Sequence, residues 1–225
     1  MTQQKTYYRN KRGQFALDPA KRSQLLLDEL YRAFDFFNEH FTQGTLPKVV
    51  ITIQEAGRKN ALGWFGNSFW KDDICGAGVS EINLSAEHLS RGYRAILETL
   101  LHEMAHLHNA QQGVRDVTGH QYHNKHFKLA AEQFGLTVKR GKRGYAYTDL
   151  DTAAREAIDQ FEPNREVYRG LGRKRVGRAP DTRYMSLVVS QELKPIINQA
   201  VSRSGYHNKR QFVEDAILQL AKLYT

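Results

Sequence analysis

The 225-residue sequence contains a single cysteine, Cys75. No disulfide can close within the chain, and a cysteine-ligated zinc module is excluded. A chain this poor in cysteine fits a reducing cytoplasm, and Cys75 reads as a small buried or strand residue rather than a nucleophile. No apolar run approaches the ~20 residues that a membrane helix needs. The opening "MTQQKTYYRNKRG" is polar and basic and lacks the apolar core of a secretory signal. There is no internal repeat. These absences lead to the expectation of a soluble cytoplasmic protein with no membrane partner. Acidic residues are also in deficit: 24 Asp and Glu stand against 33 Lys and Arg, for a formal net charge of +9 and a pI near 9.6. Such an excess favours a polyanionic partner, nucleic acid first, and hence a nucleoid-associated location. The alternative is that the charge serves solubility alone.

What remains is ordinary globular composition, 40% hydrophobic and 25% charged, enough for a core and for one medium domain with a small one. Residues 1–18 read as a flexible basic lead-in. A helix is predicted from Asp18-Pro19, where Leu26, Leu30, Ala33, Phe34, Phe37 and Phe41 form one apolar stripe, and Gly44 and Pro47 end it. "KVVITIQEA" (48–56), "ALGWFGNSFW" (61–70) and "EINLS" (81–85) read as strands of a small antiparallel sheet packed on that helix. A long helix is predicted over 92–111, another over 123–135 closed by Gly135, and a last strand at "GYAYTDL" (144–150). The class is α+β, with one domain over 19–150. Residues 165–183 hold seven Arg or Lys against two acids; residues 151–182 are therefore read as a basic linker, followed by a compact module over 183–225.

The chemistry concentrates in "TLLHEMAHLHNAQQG" (99–113). His102, Glu103 and His106 spell H-E-x-x-H. On a helix, positions i and i+4 project side by side, so both imidazoles can reach one ion. Zinc suits two imidazoles and a third protein ligand, with a water in the open position. Glu103, turned about 100° from His102, can flank that water and take its proton. The surrounding apolar residues make buried histidine and glutamate unusual unless they have a use. The alternative is a helix with two satisfied histidines. His108 faces away from this pair, and Asp116 sits too close to the helix end to serve as a ligand. His123, His120 and His126 are the remaining pool. His123, Phe127, Ala130, Ala131 and Phe134 share one helical face, so His123 is the preferred third ligand at the start of the next helix, with His120 the fallback; His126 lies outward beside Lys125 and Lys128.

"FNEHFTQGTLPKVVIT", "INLSAEHL", "TLLHEMAHLHN", "YHNKHFKLAAEQFGL" and "GYAYTDL" occur in this order and resemble the SprT-like metalloprotease family, to which Spartan belongs. The resemblance spans roughly residues 24–150. It implies a zincin-like fold with His102 and His106 as zinc ligands, Glu103 as the catalytic base, and a third ligand four residues before a phenylalanine, which His123 is with respect to Phe127. It also implies degradation of proteins bound or crosslinked to DNA. Many such proteins continue into a cysteine-rich zinc ribbon. Residues 151–180 contain no cysteine, so that module is absent from this segment.

The segment 183–224 offers another anchor. Residues 184–189 read as a short strand with Met185, Leu187 and Val189 on one face. Ser190 is placed as the cap of a helix carrying Leu193, Ile196, Ile197 and Val201. Gly205 ends it, and Asn208 caps a second helix with Phe212, Val213, Ala216, Ile217, Leu220 and Leu223. About 42 residues cannot bury this much apolar surface alone, so a homodimer is expected. The order resembles the ribbon–helix–helix family. That resemblance implies that Tyr184, Ser186 and Val188 face bases, that Arg183 lies at the groove edge, and that Asn208, Lys209 and Arg210 contact phosphate. The alternative is a helical hairpin that only dimerises or packs on the larger domain. Three smaller signals stay open: Lys139, Arg140, Lys142 and Arg143 as a phosphate-tracking cluster or a solvated turn; Trp64, Phe65, Phe69 and Trp70 as core or as a stacking surface; Tyr145 or Tyr147 as an oxyanion donor. The expected activity is zinc-dependent proteolysis of DNA-associated proteins. The competing expectation is a DNA-binding transcriptional regulator whose metal domain senses or cleaves a repressor.

Overall fold

The computed structural model describes residues 7–9, 15–56, 61–74, 76–169, 172–174, 192–206 and 208–224. It divides into two units, Met1–Arg175 and Val176–Thr225. Within the first, β1 (Tyr7–Arg9) and β2 (Phe15–Leu17) pair antiparallel, so the lead-in expected to be without structure contains a short hairpin. α1 (Pro19–Thr42) starts where Asp18 Oδ1 accepts the backbone N–H groups of Ala20 and Lys21 at 2.9 and 3.2 Å. Proline at the first helical position suits that start, because its missing N–H would have had no intrahelical partner. The helix stops at Gln43, in the left-handed conformation at φ 55°. Leu26, Leu30, Ala33, Phe34 and Phe37 are buried as their spacing predicts, and Phe41 packs at the core's margin.

β3 (Val50–Gln54), β4 (Gly63–Asp72) and β5 (Ala77–Ser85) form one sheet in the order β3-β5-β4. The expected antiparallel sheet is in fact mixed. β5 runs antiparallel to β4, with a bulge between Gly66 and Trp70, but parallel to β3, from Val50 opposite Glu81 to Gln54 opposite Ser85. The cause is burial: Glu81 to Ser85 are buried at every position, so this segment takes the centre and both flanking strands pair to it. Ile82 and Leu84 turn inward with Ile51, onto the core shared with α1 and α2 (Tyr93–Gln111).

The second sheet has the order β6-β7-β9-β8, from β6 (Val117–Thr118), β7 (Tyr122–His123), β8 (Leu136–Gly141) and β9 (Gly144–Leu150). α3 (Lys125–Gln133) lies between β7 and β8, capped by Asn124, whose Oδ1 accepts from His126 and Phe127. The linker expected over 151–182 begins with a helix instead. α4 (Thr152–Phe161), capped by Asp151, buries Ala154, Ala157, Ile158 and Phe161 in the same core, and Val167 and Tyr168 follow them. Further along, Arg173 N–H donates to Ala86 O at 2.9 Å. The basic count over 165–183 hid this, because two buried residues among many cations suffice to dock a segment.

In the second unit, α5 (Leu193–Arg203) and α6 (Lys209–Ala221) follow the predicted helices. Gly205 has φ +72°, and Asn208 Oδ1 accepts from Gln211 N at 3.0 Å. The strand expected at 184–189, the Ser190 cap, and Arg183, Tyr184, Ser186 and Val188 lie outside the described residues, as does Cys75. Among the described residues, no helix is long and apolar enough to cross a membrane.

Candidate metal centre

α2 is the spine of the site. Ile96, Leu97, Leu100, Leu101, Met104, Ala105 and Leu107 hold it in the core. Its remaining stripe places His102 and His106 one turn apart, with ring centroids 5.2 Å from each other. His123 arrives from β7. The three histidines bring ring nitrogens within 4.8 Å of one another, and Nε2 of His106 lies 3.1 Å from Nε2 of His123. Two imidazoles on one tetrahedral zinc would have nitrogens ~3.3 Å apart, from bonds of about 2.0–2.1 Å. The buried ring of Phe127 forms the floor beneath all three, its centroid 4.6, 4.5 and 4.5 Å from those of His102, His106 and His123.

Each histidine is held by its other nitrogen. His106 Nδ1 meets Asp116 Oδ2 at 2.7 Å, and Asn109 Nδ2 donates to the same oxygen at 3.0 Å. His123 Nδ1 faces the Gln121 carbonyl at 3.1 Å. His102 Nδ1 faces Thr148 Oγ1 at 3.3 Å. With every Nδ1 engaged, the Nε2 atoms are left to converge, and an outer partner for each ligand is what a metal site requires to fix ring orientation. Charge points the same way. Burial first, then the proximity of His106 and His123, holds His102 well below the usual histidine range. His123 is lowered to about 4, by burial and then by His106. Both rings are therefore neutral at neutral pH, the form that ligates a cation. Burial would raise the Asp116 carboxyl, but the hydrogen bonds from His106 and Asn109 and the charge of His106 hold it below its ordinary value.

Glu103 is buried beside the triad. Burial pushes its carboxyl up to about 7; His106 opposes the rise and Asp116 adds to it. The sheet closes over it at Gly63 of β4, where an added Cβ would stand 3.0 Å from Glu103 Oε1 and 2.7 Å from the Asn83 carbonyl. Gly144 has the same importance at His123. It sits at φ +68°, and a Cβ there would meet the His123 carbonyl at 2.1 Å, so only glycine lets β9 approach the third histidine. His123 N–H donates to the Arg143 carbonyl at 3.0 Å and completes that seat.

The structure thus brings together four of the residues expected from sequence, with one correction. His123 is not in the first turn of α3. It occupies the short strand β7, one residue before the Asn124 cap, where pairing to Val117 and Gly144 fixes it. His120 is exposed at φ 58° in a 3-10 turn, and His126 is exposed on α3; neither is in the triad. His108 lies against Phe134, with Nε2 3.0 Å from Gln112 Nε2. Asp116, set aside as a ligand, orients one. Thr148 and Gly144 gave no local signal of a role here, because each acts across the fold rather than along its own segment. Lys139, Arg140, Lys142 and Arg143 are all exposed around the β8–β9 turn. Trp64 is half-buried, Phe69 and Trp70 are exposed on β4, and Phe65 stacks on His106 at 6.4 Å. Tyr145 packs against the core, and Tyr147 is half-exposed over Gly141. In the second unit Asn208, Lys209 and Arg210 are exposed at the start of α6, with Arg210 paired to Glu214 at 2.8 Å.

These features define an α+β domain whose three-imidazole cradle, with a buried carboxylate beside it, could hold one metal ion. The model of the SprT-like family matches residues 30–147, just over half of the chain, and the protein belongs to that family. No curated protein and no solved structure matches it significantly.

Proposed function

We propose that this protein is a zinc-dependent endopeptidase acting on DNA-associated proteins. The observation that carries the reading is the convergence of His102, His106 and His123, each held at Nδ1, beside the buried Glu103. Membership of the SprT-like family supports it. A zinc ion held by the three Nε2 atoms would supply a Lewis acid for the scissile carbonyl and bring the pKa of bound water towards neutrality. The protein's own groups do the rest. Glu103 takes a proton from the attacking water and returns it to the leaving amine. Asp116, Thr148 and Gln121 hold the ligands in place, and Phe127 keeps water from behind them.

The DNA part of the reading rests on charge. The chain carries a net +9; four exposed cations surround the β8–β9 turn, and Lys209 and Arg210 open α6. Phosphate contacts of this kind bind without sequence preference and weaken with salt. The second unit is a self-associating module, because α5 and α6 bury no residue and leave Leu193, Ile196, Ile217, Leu218 and Leu220 exposed. The test is cleavage of a DNA-bound protein with and without DNA, wild type against Glu103→Gln. DNA-stimulated cleavage by the wild type alone supports the proposal, and equal cleavage by the two proteins refutes it.

A further inference from the structure

The outer partners of the three histidines differ in kind. Asp116 and the Gln121 carbonyl only accept hydrogen bonds, so each fixes a proton on the Nδ1 that it faces. His102 faces a hydroxyl, which can accept or donate. Thr148 alone would leave the tautomer of His102 open, and one of the two tautomers carries a proton on the nitrogen that should bind metal.

The ambiguity is resolved one bond further out. Thr148 Oγ1 donates to Glu98 Oε1 at 3.1 Å. While ionised, the Glu98 carboxylate only accepts, so the single hydroxyl proton is committed to it. The lone pairs of the same oxygen then face His102, and Nδ1 must carry the proton. Glu98 lies one turn before His102 on α2, and Thr148 stands opposite on β9. The carboxylate and the ligand thus come from one helix, and the hydroxyl between them from a strand nearly fifty residues away.

We propose that Thr148 and Glu98 are positioning residues. They form a relay, His102 Nδ1–H to Thr148 Oγ1–H to the Glu98 carboxylate, which holds His102 in the tautomer whose Nε2 lone pair faces the cradle. The inference rests on the reading of the cradle as a metal site. Without Glu98 the hydroxyl is free to turn and donate to Nδ1, which favours a proton on Nε2. Without the hydroxyl, Nδ1–H loses its acceptor and both tautomers become accessible. In either case metal must first displace a proton from His102.

The test uses the full chain in two measurements: the tautomer of His102 in the metal-free protein, from long-range proton–nitrogen correlation of the imidazoles, and zinc affinity by competition with a chelator. Wild type and Thr148→Ser are expected to show His102 protonated at Nδ1 alone and to bind zinc alike. Glu98→Ala is expected to shift His102 to the Nε2–H form, Thr148→Val, which keeps shape and loses the hydroxyl, is expected to show both forms, and both variants are expected to bind zinc about 10–100-fold more weakly. A Thr148→Val protein with the wild-type tautomer and affinity overturns the proposal. So does a Thr148→Ser protein as weak as Thr148→Val, since the side chain would then act through packing. If the wild type binds no zinc, the metal-site reading fails by itself, while the tautomer spectra still decide whether the relay exists.

Discussion

α2 and the pair α5 and α6 are written by the same rule, apolar side chains recurring every three or four residues, yet they meet opposite surroundings. In α2 the residues from Ile96 to Leu107 that follow the rule are at most 1% exposed. In α5 and α6 no residue is buried, and Ile196 and Leu220 are 60% and 56% exposed. A periodic stripe declares a face and does not say what covers it. Covering also creates the chemistry: the burial that stabilises α2 lifts Glu103 towards 7 and lowers His102 and His123, whereas no such shift can arise on an uncovered helix.

The comparison can be broken at several strengths. The largest effect is expected from Phe127→Ala, which empties the floor beneath all three imidazoles. It should lower unfolding stability by about 3–5 kcal/mol in urea titrations and weaken zinc binding as well. An unchanged midpoint would show that the cradle does not depend on the core below it. Next, Asp116→Ala should weaken zinc binding about 10–100-fold by freeing His106, measured by chelator competition.

The pH dependence of the metal-free protein should be smaller, because the lowered histidines, His102 and His123, oppose the raised Glu103. His123 titrates near 4 when folded, against 6.5 ordinarily, so the unfolded chain binds the extra proton between those values and stability falls as pH drops from about 6.5 to 4. Glu103 titrates near 7 against an ordinary 4.5, so its contribution is fully present below 4.5 and is lost as pH rises to 7. Thermal melts over that range should therefore show a steeper acid-side loss in Glu103→Gln and a shallower one in His123→Gln. The smallest effect within the chain is expected from Leu220→Ala, about 0.5 kcal/mol or less. Its consequence should appear instead in sedimentation, as a weaker dimer. A large loss of stability that does not depend on protein concentration would mean that α6 is covered by its own chain.

Much of the fold could be read from sequence where order is local. α1 announced itself by stripe and cap, α2 by its apolar run, and β9 by composition. The site was legible to the same extent: His102, Glu103 and His106 follow from one helical period, and His123 from the face it shares with Phe127. What was not legible depends on pairing across the chain. The parallel partnership of β3 with β5 arises from burial on both faces of β5, which alternation cannot encode. α4 was lost because the linker read from the basic count over 165–183 was extended back to residue 151, although α4 holds one Arg against two acids. The seat of His123 in β7 depends on a glycine twenty-one residues later, and the holding of His102 on Thr148, forty-six residues later. No local pattern marks either dependence.

The central claim is that the buried carboxylate beside three histidines performs chemistry rather than structure. It is tested most directly by loading wild type and Glu103→Gln with zinc, measuring metal content, and following cleavage of a DNA-bound protein in the same samples. The account predicts one zinc per chain in both proteins, cleavage by the wild type, and a rate about 10²–10⁴-fold lower in the variant. Equal rates at equal zinc content would contradict it.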